Sequence, residues 1–160
     1  MWIDFDNLSL ESRVWVFQSD RILTSDEQKS MDGHLKEFVS QWSTHGAQMH
    51  ASHTILHNCF VVIAADEQRQ EASGCSIDSF TALFKKYGEQ FNLSFFDRFS
   101  IAHKSNADVI VSSLDQFKAS IKLGDVTKST IVFNNLISSK KDLLNKWELP
   151  LHESWQKRYL

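Results

Sequence analysis

The sequence predicts an α+β fold: a ferredoxin-like (split β-α-β) two-layer sandwich over residues 1–105, with a C-terminal α/β extension, 106–160, packed on it within a single domain, 1–160. Three observations carry that prediction. Apolar patterning runs strand, helix, strand, strand, helix, strand through residues 1–105. Each of the two helices has one apolar stripe, which suits a helix pair covering one side of an antiparallel sheet. No Pro-, Gly- or Ser-rich linker separates the last third from the rest, and 160 residues suit one domain.

Arg13-Val14-Trp15-Val16-Phe17 is apolar on both alternating faces, the pattern of a strand in mid-sheet. Thr24-Ser25-Asp26-Glu27-Gln28 holds two overlapping capping boxes, Thr24 with Glu27 and Ser25 with Gln28, and opens a helix. Met31, Leu35, Phe38, Val39 and Trp42 share one face of that helix, and Gly46 marks its stop. A strand pair follows in 50–65. Its first strand is peripheral and partly polar, with Ala51, His53 and Ile55 alternating with Ser52, Thr54 and Leu56. His57-Asn58 turns the chain, because Asn tolerates positive φ, and Cys59–Ala65 is a fully buried strand.

After the polar stretch 66–76, Ser76 caps a helix with Ile77, Phe80, Phe84, Tyr87 and Phe91 on one stripe. Phe99–His103 reads as the last strand of the sandwich. In the extension, Val109-Ile110-Val111 precedes a helix opened by Ser113 and Gln116, with Leu114, Phe117 and Ile121 inward and Gly124 at its end. Thr130–Phe133 is a further strand, and a last helix holds Leu143, Leu144 and Trp147 before Pro150.

Composition narrows the function classes. Lys plus Arg is 17 and Asp plus Glu is 20, a net charge of −3, so neither nucleic acid nor an anionic membrane is an expected partner. The two cysteines, Cys59 and Cys75, form no CxxC pair and no disulfide framework. Met1-Trp2-Ile3-Asp4-Phe5-Asp6 carries acids where a signal peptide needs basic residues. The longest wholly hydrophobic run, Cys59–Ala65, is far below the about 20 residues of a membrane span. A cytoplasmic location with reduced thiols is expected.

The segment Ala72-Ser73-Gly74-Cys75-Ser76-Ile77-Asp78 concentrates the candidate chemistry. It opens a helix, where unpaired backbone N–H groups bind anions or activate a thiol. Ser73, Gly74 and Ser76 form a candidate carboxylate or phosphate cradle. Cys75 is a candidate nucleophile with His45 or His103 as base. The ordinary alternative is a capped helix start with a packed cysteine, and Asp78 weighs against an anion there.

The histidines His45, His50, His53 and His57 include metal-like spacings, but on a strand His53 and His57 lie about 13 Å apart, so no metal is expected. Val61–Glu67 looks like a Walker B strand. The five glycines, 33, 46, 74, 88 and 124, contain no GxxxxGK[ST], so P-loop ATP hydrolysis is not expected, nor is a cofactor. Most aromatics fall on core faces. Phe95-Phe96 beside Asp97-Arg98 is the exception, sitting between elements where it rims a pocket or packs under a loop.

Several blocks spread along the chain carry a resemblance: Ser12–Ser19, Trp42–Gly46, Ala72–Ser79, Phe96-Asp97-Arg98, Thr130–Leu136 and Glu153–Leu160. They resemble a family of short, uncharacterised bacterial proteins found mainly in Bacteroidota and often labelled "ABC transporter ATPase". The resemblance implies no activity, and this chain has neither a Walker A motif nor an LSGGQ-like signature. The expected function is non-catalytic binding of a small anionic ligand or a protein partner. Its expected site comprises Ser73, Gly74, Cys75, Ser76 and Arg98, with Trp42 and His45 as neighbours. A thiol-dependent hydrolase or transferase using Cys75 and His45 is the first alternative, and a structural subunit or homodimer the second.

Overall fold

Strand Phe60–Asp66 is buried along almost its whole length, and the computed structural model, which describes all 160 residues, explains why: it has a layer on each face. The chain is mixed α+β with antiparallel sheets. In order come β1 (Arg13–Gln18), α1 (Ser25–Ser40), a small hairpin of β2 (Ser43–Thr44) and β3 (Ala47–Gln48), β4 (His50–Leu56), β5 (Phe60–Asp66) and α2 (Gly74–Phe91). There follow β6 (Ser100–Ser105), β7 (Asp108–Ser113), α3 (Leu114–Leu123), β8 (Ile131–Phe133), α4 (Lys140–Asn145) and β9 (Glu148–Pro150). No helix is long and apolar enough to cross a membrane.

The first sheet has the order β1-β5-β4, all antiparallel, so β5 inserts between the two strands that flank α1. Trp15, Phe17, Val61, Ile63 and Ala65 meet Met31, Leu35 and Val39 of α1 and Phe80, Phe84 and Tyr87 of α2. These are the stripes that the helical periodicity predicts.

The expected four-stranded sandwich is not completed. The strand after α2, β6, pairs with β7 and β8 in a separate sheet of order β7-β6-β8-β9. The free edge of β1 instead meets residues 138–139: the Val14 N–H donates to the Ser138 carbonyl at 3.0 Å, beside a bridge between Arg13 and Ser139. The physical reason lies in the second face of the first sheet. Val14, Val16, Phe60, Val62 and Ala64 are apolar there and need cover, which Ala102, Val109, Phe133, Leu143 and Trp147 supply. The far side of the second sheet, Ile101 and Val132, is closed by Phe117 of α3 and by Leu151. The layers therefore run helices, sheet, sheet, helix. The boundary expected at 105 falls in the β6–β7 turn, inside the second sheet.

Three local expectations are also corrected. Gly46 does not stop α1, which ends at Ser40. With φ of 77° beside His45 at 50°, it forms the two-residue turn of the β2–β3 hairpin, where both positions need positive φ. Ser73, not Ser76, caps α2. Only the Thr24–Glu27 capping box closes, while Gln28 donates to the Leu23 carbonyl and to Asn58. The His57-Asn58 turn, the Ser113–Gln116 box and the Gly124 cap form as predicted.

The N-terminus of α1 is tied to the C-terminus of α2 by a fork. Arg21 donates two hydrogen bonds of 2.8 Å to the Glu27 carboxylate and one of 2.6 Å to the Phe91 carbonyl. The Arg21 hydrogen bond, then the Thr24 N–H, pull the Glu27 carboxyl down to about 2 against the opposing effect of burial. A carboxyl lowered on folding stabilises fully above its ordinary range and loses that contribution as pH falls through its folded value. Glu27→Gln, which keeps an N3 capping amide, is therefore expected to cost about 1 kcal/mol at pH 7. The deficit should shrink below pH 4.5 and vanish near pH 2 in urea titrations. A pH-independent deficit counts against the ion pair.

Candidate functional site

The start of α2 gathers most of the predicted site residues. The β2–β3 hairpin carries His45 to that helix end, so His45, Ser73, Cys75 and Ser76 border one shallow depression with Trp42 and Thr44. His45 also borders a second depression with Ser73, Gly74 and the 67–72 loop. The segment partly satisfies itself. The Ser73 hydroxyl oxygen accepts the Ser76 N–H at 3.2 Å, and Ser76 Oγ lies 2.9 Å from Ser73 Oγ and 3.3 Å from Thr44 Oγ1. The Ala72 N–H is taken by the Glu67 carboxylate at 2.8 Å. An anion would find only the Gly74 and Cys75 N–H groups free, beside the carboxylates of Glu67 and Glu71.

Cys75 is an exposed free thiol, and its sulfur makes no hydrogen bond to His45 or any other group. His103, the other base considered, sits in β6 against Phe117 in a different layer, where burial lowers its pKa. Cys59 is buried, which pushes its thiol up to about 12.

Two further histidines, His53 and His57, are held by structural partners. His53 Nδ1 accepts the Trp2 indole N–H at 3.2 Å, so the proton resides on Nε2, which faces Asp32 Oδ1 at 2.8 Å. His57 packs on Phe133 and Trp147, with Nε2 3.2 Å from Glu148. A groove of about 710 Å³ runs between the N-terminal segment and α4, lined by His53 and Glu148 among others. Burial would raise the Glu148 carboxyl, yet Lys104 at 2.8 Å and His57 hold it low.

Arg98 is elsewhere. It lies with Phe95, Phe96 and Asp97 on the rim of a cleft of about 590 Å³ between the two sheets, away from Ser73–Ser76. Phe95-Phe96-Asp97-Arg98 thus rims a pocket, the first of the two roles its position suggested. Val16, Ala102 and Phe133 supply apolar walls, and Leu136 and Trp155 complete the mouth. That size and mixed lining suit a small-molecule site.

One wall is a directional chain of hydrogen bonds. The Trp147 indole N–H donates to Asn135 Oδ1 at 2.9 Å. Asn135 Nδ2 donates to Gln18 Oε1 at 2.9 Å, and Gln18 Nε2 to the Ser100 carbonyl at 3.1 Å. The indole can only donate, so it sets the orientation of every amide after it. Gln156 is 4% exposed; its Nε2 donates to the Phe133 carbonyl at 3.2 Å, leaving Oε1 without a partner. Sequence reasoning missed Asn135, Gln156 and Gln18, whose role depends wholly on non-local partners. Compared with known proteins, the chain matches no family model, no curated protein and no solved structure.

Proposed function

We propose that this chain is a non-catalytic, cytoplasmic binding protein whose small-molecule ligand occupies the cleft between the two sheets. The observation that carries this reading is the cleft's construction: apolar walls drawn from both sheets, one wall of amides pre-oriented by Trp147, and large apolar side chains left exposed at the mouth. Leu136 is 82% exposed and Phe96 and Trp155 are each 43% exposed, so the apolar surface continues outward from the cleft. On the same reading, the β1-α1-β4-β5-α2 unit is a ferredoxin-like module serving as one wall, its open edge taken by residues 138–139. Two unpaired thiols agree with a reducing compartment.

The test uses 8-anilinonaphthalene-1-sulfonate, an aromatic probe that fluoresces in apolar sites. The native protein is expected to enhance its emission saturably, and Ser100→Trp, which fills the cleft from β6, is expected to abolish the enhancement while melting cooperatively. Equal enhancement by both proteins overturns the assignment to this cleft. A Leu136→Asp variant at the exposed mouth supplies a second readout, with weaker probe binding expected and an unchanged melting temperature.

A further inference from the structure

Apart from the buried Gln156 Oε1, the unused side-chain polar groups of the cleft are donors. Asp97, the acid on the rim, is spent on its own turn: Oδ1 accepts the Phe99 N–H at 2.9 Å and Oδ2 the Ser100 hydroxyl at 2.8 Å. Arg98 beside it makes no ion pair, no hydrogen bond and no cation–π contact, and lies exposed at the mouth. The amide wall has the same bias. Gln18 and Asn135 each spend one N–H and their oxygen on the chain from Trp147, and each keeps a second N–H. The cleft thus offers a cation and spare N–H donors to whatever enters it. Its body would lie against Phe96, Phe133 and Trp155.

Resting on the reading of this cleft as a ligand site, we propose that its ligand is a carboxylic acid with a compact apolar body, the carboxylate held by Arg98 and the body enclosed between the sheets. A guanidinium suits that task because its planar fork matches a carboxylate's two oxygens. An exposed rim cation is also a site at which charge selects between ligands of equal shape. The binding step is non-covalent.

The probes are 3-phenylpropionate and its neutral isostere 3-phenylpropanamide, titrated into the full chain and followed by calorimetry and by the Trp155 indole N–H resonance. The carboxylate is expected to bind about tenfold tighter than the amide. Arg98→Gln should remove that preference without changing amide affinity or melting temperature, and Arg98→Lys should keep part of it. Raising salt should narrow the preference. If acid and amide both shift Trp155 with equal affinity, or the preference survives Arg98→Gln, the carboxylate proposal is overturned while the cleft remains a binding site. If neither probe shifts Trp155, or both bind Ser100→Trp as well as the native chain, the reading of the cleft itself falls.

Discussion

Phe60→Ala is expected to lower the free energy of unfolding by about 4 kcal/mol and to abolish probe binding in the cleft. Phe60 is fully buried in the central strand β5 and faces the second sheet, with its ring centroid 4.7 Å from Phe133 and 4.8 Å edge-on from Trp147. Removing the ring deletes most of a large apolar surface and leaves a cavity at the one interface that joins the two sheets. Partners held on two separate sheets can close such a cavity only by moving whole elements. The damage extends to the binding site because Trp147, which would lose its edge-to-face partner, is the donor that orients Asn135 and Gln18. Phe96→Ala is the control: this side chain is 43% exposed on the rim, so its stability cost should stay near 0.5 kcal/mol while binding still weakens. Urea unfolding of the two variants separates the cases. A loss below about 1.5 kcal/mol for Phe60→Ala would mean that the second sheet does not seal the first in solution.

Much of this architecture could be read from local patterns because caps and turns are local chemistry. Thr24 with Glu27, Ser113 with Gln116, Gly124 and the His57-Asn58 turn each act within a few residues, and each forms. Pairing partners are a different matter. Phe99–His103 has the pattern of a strand, and a strand forms there, but nothing in five residues says whether it docks beside β1 or β7. The available clue was thermodynamic: Val14, Val16, Phe60, Val62 and Ala64 leave a second apolar face that two helices on one side cannot cover. Gly46 illustrates the same limit, since a glycine shortly after a helix serves equally as its stop or as a hairpin turn. The pairing of Thr44 with Ala47 decides it. At the site, the rim was legible because two aromatics beside an Asp-Arg pair fit no element. The amide wall was not, because Gln18, Asn135 and Gln156 acquire meaning from partners up to 117 residues away.

Lys140→Met is expected to cost about 3 kcal/mol, although it exchanges one unbranched side chain for another of similar size. Lys140 opens α4 yet is only 4% exposed. Its ammonium donates to the carbonyls of Phe5 at 2.7 Å, Asp6 at 3.0 Å and Leu8 at 2.8 Å, and lies 5.2 Å from the Phe5 ring. Three N–H groups thus meet three carbonyls, so the charge is hydrogen-bonded to capacity with no carboxylate involved. Methionine leaves the Asp6 and Leu8 carbonyls without a donor, the latter fully enclosed, and the Phe5 carbonyl with only the Leu8 N–H, and releases the 5–8 segment from α4. Arginine keeps the charge, but its flat fork cannot point at three converging oxygens, so Lys140→Arg should fall between the two. Lys146→Met is the matched control, since that side chain is 70% exposed in an i,i+4 pair with Asp142 and should cost under about 0.5 kcal/mol. Hydrogen exchange at Leu8, measured alongside urea unfolding, should accelerate in Lys140→Met alone. A deficit within 1 kcal/mol of the native chain, with Leu8 still protected, would reduce the lysine to a space filler.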